Sequence, residues 1–432
     1  MSSALLIIER NEQILSLLYQ ENRLIQVKVH DEKSKNQKNE EGKENLSSLL
    51  LHAIYIGKVK NVVPGIDAAF VEVNKGKMGF LPMKYAKNPI IVNRKYDGRI
   101  VAGDEILVQI EKEGIKTKDP GLTCNLSFTG KYSVLTTGKL GVGFSSKLEH
   151  RTKLYWKRQL EEWNIEEVLQ EENVGMVVRT NAAALMDDKS ELHSGSLKAD
   201  VVHPEKCSLE ANNRFKEEFE KLLEQKNKIL SDVSYRTCFS CLFEPMEGYL
   251  EDIRDAYEDS FDKIVTNKTD IYYRIREIFP TMENVELYQD SRVPLEKLYS
   301  VETRLKEALD ERVWLKSGAY LVIQQTEALT VIDVNSGKIQ KKNPKDDVYF
   351  EINKEAAKEI ALQLKLRNLS GIIVIDFISQ NVKKQDLELL DYLTDLVDSD
   401  SVKTNVIDMT PLGLVEVTRK KIHKSLKEQL IR

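Results

Sequence analysis

Two apolar runs, each ending in an aspartate and separated by one helical repeat, restrict this chain more than any other feature. They are Thr330-Val-Ile-Asp333-Val-Asn335-Ser-Gly337 and Gly371-Ile-Ile-Val-Ile-Asp376-Phe-Ile378. A charge in or just past such a run loses hydration and needs a cation, a strong donor or a metal. Residues two apart in extended chain share a face, so Asp333 and Asn335 point the same way. Between the runs, Phe350 to Asn368 carries Ile352, Ala356, Ile360 and Leu364 at i, i+4 spacing. That pattern predicts an amphipathic helix, closed by Asn368 and Ser370-Gly371. Strand, helix, strand predicts a right-handed crossover with two parallel strands. Parallel neighbours end at one edge of the sheet, where ligands bind in open α/β sheets. Asp333, Asn335 and Asp376 are therefore expected to converge. Two carboxylates and a carboxamide suit a hard cation, and magnesium is the usual choice beside phosphate. The same residues would also serve a turn opened by Asp333 and a helix capped by Asp376.

At 432 residues the chain is long for one core and should hold roughly two to four units. The net charge of −5 gives no general field for polyanions, so any nucleic-acid site must be local. The opening Met1-Ser-Ser-Ala-Leu-Leu-Ile-Ile-Glu-Arg lacks a basic leader, and no stretch is long and apolar enough to span a bilayer. A cytosolic, cytoplasmic location is expected. Four cysteines in such a chain do not make a disulfide framework. Cys238-Phe-Ser-Cys241 has the spacing of half a zinc site, but Cys124 and Cys207 are isolated and no His pair follows. Partly buried thiols are expected.

Apolar clusters at Ile7-Ile8, Ile14 to Leu17 and Leu24 to Val27 predict an antiparallel meander. Asp31 to Ser48 is almost wholly Lys, Glu, Asn, Gly and Ser, and reads as a connector with too little apolar surface to order itself. Short strands punctuated by Gly and Pro from Ile54 to Phe128 predict a small barrel. A strand follows at Gly175 to Val178, and a linker or insertion near Asp187 to Pro204. Helices are predicted at Asn213 to Ser231, Glu247 to Ala256 and Asp386 to Val397, and a last strand near Lys403 to Met409.

Within Asp67-Ala-Ala-Phe70-Val-Glu-Val73, alternation puts Asp67, Ala69, Val71 and Val73 on one face, and Ala68, Phe70 and Glu72 on the other. Phe70 thus shares its face with a charge, and Phe80 in Gly79-Phe80-Leu-Pro can lie beside it. Exposed aromatics on a barrel stack unpaired bases. Burial of both rings in the barrel core fits the alternation equally well. Lys118 is a candidate phosphate partner, as well as an ordinary solvated loop lysine.

Further motifs are Ile56-Gly-Lys-Val, Asp67-Ala-Ala-Phe-Val, Gly79-Phe-Leu-Pro, Val178-Arg-Thr180, Thr326-Glu-Ala-Leu-Thr-Val-Ile-Asp-Val-Asn335, Leu366-Arg-Asn-Leu-Ser-Gly and Pro411-Leu-Gly-Leu-Val-Glu-Val-Thr-Arg419. Taken in order they resemble the ribonuclease E/G family along nearly the whole chain. The resemblance implies an α+β multidomain fold: a ribonuclease H-like subdomain interrupted by an S1-type OB barrel and a 5′-phosphate sensor region, then a DNase I-like α/β catalytic subdomain. The divisions expected are 1–48 (the opening segment of the ribonuclease H-like subdomain with the charged connector), 49–128 (barrel), 129–212 (sensor), 213–302 (the closing segment of the ribonuclease H-like subdomain) and 303–432 (catalytic).

The resemblance further implies a magnesium-dependent endoribonuclease acting on single-stranded RNA and favouring 5′-monophosphorylated ends. Asp333 and Asp376 would hold the hydrated magnesium and Asn335 would orient them. Phe70, Phe80 and Lys118 match RNA-contacting positions of the barrel, and Arg179 and Thr180 match the pair that receives the 5′-monophosphate. Guanidinium plus hydroxyl at a strand end suits a terminal phosphate. The sequence departs from the family at Ser379, where a second Asp is common, and at Gln324, Glu296 and Asn181-Ala-Ala-Ala. A Cys-Pro-x-Cys zinc-link element is absent from the 432 residues, so a homodimer stays open but a zinc-linked one is not expected. The missing zinc motif, Ser379 and Gln324 motivate a rival reading as a catalytically weak RNA-binding scaffold. A phosphatase or DNA nuclease using the same metal site is a third, disfavoured by aromatics suited to unpaired bases.

Overall fold

The structure, a computed structural model, describes residues 3–31, 49–114, 118–186, 209–256, 261–337, 346–380, 383–398 and 400–430. Beyond Asp31 itself, the expected connector lies outside the described residues, as does the whole insertion expected at Asp187 to Pro204. The chain forms two compact units, Met1–Lys35 with Phe261–Arg432, and Asn36–Ser260.

The first unit begins with β1 (Ser3–Arg10), β2 (Gln13–Gln20) and β3 (Arg23–Asp31), the expected antiparallel meander. Its two-residue turns, Asn11-Glu12 and Glu21-Asn22, hold both residues at positive φ, the turn geometry that matches the twist of a hairpin.

The second unit opens with β4 (Ile54–Val63), β5 (Ala68–Asn74), β6 (Lys77–Pro82), β7 (Glu105–Lys112) and β8 (Gly121–Thr123). They run β4-β5-β6-β8-β7, and β7 pairs back to β4, closing a five-stranded barrel consistent with an OB-like fold. Val59, Ala69, Val71, Leu81, Ile106, Val108 and Leu122 fill it. The barrel is tight: a Cβ on Gly79 would lie 2.6 Å from Leu122 Cδ1. Asp67 precedes β5 with φ 49° rather than sharing the strand face of Ala69, because it ends the short turn Pro64–Ile66.

Beyond the barrel come β9 (Ser127–Thr129), β10 (Ser133–Thr136), β11 (Gly141–Phe144), α1 (His150–Glu162), α2 (Ile165–Glu171) and β12 (Gly175–Val178), with sheet order β11-β12-β10-β9. The unit is completed by α3 (Leu209–Asp232), β13 (Cys241–Phe243), which pairs with β4, and α4 (Gly248–Asp255). Phe215 of α3 stacks on buried Trp156 of α1, with ring centroids 4.4 Å apart. The stretch 213–302, expected as one piece, is therefore divided. Its helices up to Asp255 fall in the second unit, where α3 shares a core with α1 and the β12 sheet, and its remainder lies in the first unit.

That remainder is β14 (Lys263–Thr266), α5 (Thr269–Ile278), β15 (Val285–Leu287), α6 (Leu295–Leu298) and α7 (Val301–Leu309). β14 pairs parallel to β1 in a sheet of order β15-β14-β1-β2-β3. The last sheet is built from β16 (Arg312–Trp314), β17 (Tyr320–Gln325), β18 (Leu329–Asn335), β19 (Gly371–Asp376), β20 (Thr404–Met409) and β21 (Leu414–Arg419), in the order β16-β17-β18-β19-β21-β20. Its helices are α8 (Asp346–Leu366) and α9 (Lys383–Asp398), and α10 (Leu426–Leu430) ends the described chain.

β18 and β19 are parallel, joined through α8, as the sequence pattern requires. Ile332, Val334, Ile373 and Ile375 on one face pack with Ile352, Ala356, Ile360 and Leu364 of α8 and Leu389 and Leu393 of α9. Each fully buried aliphatic side chain is worth roughly 1.5–3 kcal/mol, so this layer fixes the register of the two strands. α8 stops before Asn368, which takes the left-handed conformation at φ 48°. Among the described residues, no helix is long and apolar enough to cross a membrane.

Candidate active site on the open face of the catalytic sheet

Because Ile332, Val334, Ile373 and Ile375 are buried under α8 and α9, alternation puts Asp333, Asn335 and Asp376 on the opposite face. Register then places Asp333 directly beside Asp376. Asp333 is half-buried and Asp376 is exposed. Asn335 Nδ2 donates to Asp333 Oδ2 at 2.6 Å, so the carboxamide orients one carboxylate and leaves its other oxygen available. Asp333 lies within β18 and Asp376 closes β19, so neither the turn nor the helix-cap alternative describes them.

Like charges opposite one another in a sheet repel. Among the described residues no Lys, Arg or His pairs with either aspartate, so the pair lacks a protein counter-ion. Nor do three or more His, Cys, Asp or Glu side chains gather as a metal site among them. What the chain offers is two carboxylates and a carboxamide, an all-oxygen set. That set fits a hard cation that keeps most of its own water, and not a soft metal needing thiolate or imidazole.

Neighbouring contacts hold this geometry. Asn353 of α8, fully buried, donates from Nδ2 to the Ile378 carbonyl at 2.8 Å and accepts from the Ile378 N–H at 3.1 Å. The segment leaving Asp376 is thereby clamped to the helix. Gly337, two residues past Asn335, has φ 65°, and a Cβ there would lie 2.4 Å from the Gly318 carbonyl oxygen. Only glycine lets this turn back so closely onto the β16–β17 turn. Glu355 of α8 in turn accepts from the N–H groups of Lys316 and Ser317 at 2.7 and 3.3 Å, pinning that second turn.

In the barrel, Phe70 and Phe80 are register partners on β5 and β6, with ring centroids 5.7 Å apart, edge to face, both half-buried. The core beneath them is Ala69, Val71 and Leu81. The rings are neither lost in the core nor fully exposed. Lys118 is exposed, two residues before Pro120, whose carbonyl accepts from the Phe80 N–H at 2.8 Å. Residues 115–117 lie outside the described residues.

Arg179 leaves the end of β12 and is already engaged. Its guanidinium donates to Asp255 Oδ1 at 2.9 Å and to the Gly130 carbonyl. Asp255 also accepts from Arg254 Nε at 2.8 Å. Burial pushes the Asp255 pKa up, but the two guanidinium donors outweigh it and hold the group below the usual carboxylate range. Thr180 Oγ1 lies 3.0 Å from Ser145 Oγ. Beside them Glu218 of α3 accepts from the backbone N–H groups of Lys131, Tyr132 and Ser133 at 2.6, 2.8 and 2.9 Å. Gly130 permits this, since a Cβ there would fall 2.4 Å from the Glu218 carboxyl carbon. Of the cysteines, Cys124 is buried, with its thiol pushed up to about 12 by burial, Cys238 is half-buried and Cys241 is exposed. Cys207 lies outside the described residues.

The sequence profile of the Ribonuclease E/G family matches residues 201–422. Ribonuclease G of Salmonella typhimurium is 29% identical over 394 residues, covering 87% of this chain and 74% of that protein. Ribonuclease G of Haemophilus influenzae is 30% identical over 391 residues, with coverage of 87% and 74%. Ribonuclease E of a Nostoc species is 28% identical over 390 residues, covering 87% of this chain and 52% of that protein. The chain belongs to the ribonuclease E/G family. Membership makes it an endoribonuclease.

In this family member, sequence reasoning missed Asn353, Glu355, Asp255 and Glu218. Asn353 and Glu355 look like ordinary helix residues until the sheet edge is placed against them. Asp255 lies 76 residues from Arg179, and Glu218 about 85 from the N–H groups it binds, beyond any local pattern. The variant positions Ser379 and Gln324 are both exposed, and Gln324 donates to Glu311 at 3.4 Å.

Proposed function

We propose that this member of the ribonuclease E/G family is a magnesium-dependent endoribonuclease that cuts single-stranded RNA, favours 5′-monophosphorylated ends and works in the cytoplasm. The reading rests above all on Asp333 and Asp376 standing side by side with no counter-ion among the described residues. In this reading the sheet β15-β14-β1-β2-β3 belongs to a ribonuclease H-like subdomain. The barrel is S1-type, the β9–β12 sheet carries the 5′ sensor, and β16 to β21 form a DNase I-like catalytic subdomain.

Asp333 and Asp376 hold the magnesium, and Asn335 fixes the Asp333 carboxylate. When bound, magnesium supplies Lewis-acid stabilisation of charge on the scissile phosphate and lowers the pKa of water. Phe70 and Phe80 stack bases and Lys118 pairs a phosphate, which holds substrate without reading its sequence. Products carry 5′-phosphate and 3′-hydroxyl. Arg179 and Thr180 receive the 5′-monophosphate: Arg179 binds Asp255 and the Gly130 carbonyl through Nη1, which leaves Nε and Nη2 to the phosphate, while the Asp255 carboxylate beside them opposes the added negative charge.

The test is cleavage of one unstructured A/U-rich RNA bearing either 5′-monophosphate or 5′-hydroxyl, with magnesium and with EDTA. Internal cuts that need magnesium and run faster on the monophosphate are expected. Cuts indifferent to the 5′ end would remove the sensor role of Arg179 and Thr180. RNA binding with no cut would replace the nuclease by the scaffold reading.

A further inference from the structure

The open face of the catalytic sheet carries a second feature that the carboxylate pair does not use. Register aligns Trp314 of β16 with Tyr320 of β17, and Tyr320 with Asn335 of β18. The adjacent row runs Arg312, Val322, Asp333, Asp376. All of these side chains rise from one face, since Leu321 and Ile323 between them are buried in the core. Trp314 is 63% exposed although it is among the largest apolar side chains in the chain. Its ring lies 5.1 Å from that of Tyr320, and the Arg312 guanidinium sits over both, 5.8 Å from Trp314 and 4.6 Å from Tyr320. Among the described residues Arg312 has no carboxylate partner.

Resting on the reading of Asp333 and Asp376 as the cleavage site, we propose that Trp314, Tyr320 and Arg312 form a base-stacking subsite for a nucleotide of single-stranded RNA flanking the scissile phosphate. The platform is continuous with the carboxylates: two strand spacings of ~4.8 Å separate β16 from β18, a short reach along a single strand. Its chemistry suits a nucleotide, with an exposed indole face for a base and a guanidinium without a carboxylate for the adjoining phosphate. It is held in place, because Glu355 pins the turn that joins β16 to β17. A ring that is exposed yet fixed loses little conformational freedom on binding. Stacking tolerates any base, so the subsite would set position rather than sequence.

The full chain is titrated with a 5′-monophosphorylated A/U-rich RNA in EDTA, following tryptophan fluorescence, and its cleavage is measured with magnesium. The chain has three tryptophans, and Trp156 is fully buried. RNA is expected to quench emission in the unaltered chain, with the quenching component lost in Trp314→Phe. Trp314→Ala is expected to raise KM roughly 5- to 100-fold with a smaller change in kcat, Trp314→Phe to restore most of it, and Arg312→Gln to raise KM less. An RNA series with one abasic nucleotide moved along the strand should show one sensitive position, and Trp314→Ala should erase that sensitivity. Normal KM, quenching and abasic profile in the Trp314 variants, with cleavage intact, would overturn the subsite and leave the nuclease standing. Absence of cleavage by the unaltered chain, with Trp314-dependent quenching present, would keep the RNA subsite and overturn the nuclease. A change of sedimentation in Trp314→Ala without a change in RNA binding would mean that the face meets a second copy of the chain, and would overturn the subsite.

Discussion

Two carboxylate clusters in this molecule are built in opposite ways. Asp333 and Asp376 stand together on a sheet with one carboxamide donor and no cation among the described residues. Asp255 is gripped by Arg179 and Arg254, and Glu218 nearby accepts three consecutive backbone N–H groups. The second cluster is electrically complete within the chain. Among the described residues nothing completes the first. In the proposed reading, a cation site and an anion site therefore differ in the charge that an arriving ligand meets. A cation at the sheet would relieve repulsion, whereas a phosphate at Arg179 would meet a resident carboxylate.

The most drastic way to break that contrast is to give the open pair its own cation. In Asp376→Lys an ammonium would stand beside Asp333, and cleavage should fall on the order of 10³-fold or more while the melting temperature holds or rises slightly. Activity assays alongside calorimetry check both halves. A milder change sharpens the other side. Asp255→Asn weakens the grip on Arg179, so the preference for 5′-monophosphate over 5′-hydroxyl RNA should rise roughly fivefold, the scale of one charge-assisted hydrogen bond. The same substitution has a pH signature. The folded pKa of Asp255 is depressed, so its contribution to stability is present above the unfolded value and is lost as pH falls through the folded one. Acid unfolding of the unaltered chain below about pH 4 should include this loss, and Asp255→Asn should flatten it. An acid titration followed by circular dichroism decides the point.

The sequence made the first cluster legible and concealed the second. Asp333, Asn335 and Asp376 could be brought together from a strand period of two and a crossover helix, because both rules are local. The meander was equally local, and so was the helix α3, which extends from Leu209 to Asp232 around the expected Asn213 to Ser231. Which unit α3 joins depends on Phe215 meeting Trp156, a contact that no window of sequence contains. The partner of Arg179 was hidden for the same reason. The Trp314 platform had a readable sign, the alternating Arg312-x-Trp314 and Tyr320-x-Val322 on either side of Lys316-Ser-Gly318. A hairpin over that stretch puts the three side chains on the face of Asp333.

If RNA is cut at the uncompensated pair, its loss should stop chemistry and spare binding. The most direct measurement is the single-turnover cleavage rate of Asp333→Asn with magnesium, taken with RNA affinity on the same preparation. The expected result is a rate lower by about 10³-fold or more, with affinity within about twofold of the unaltered chain. Cleavage within about tenfold of the unaltered rate, a barrier change of only about 1.4 kcal/mol, would contradict it.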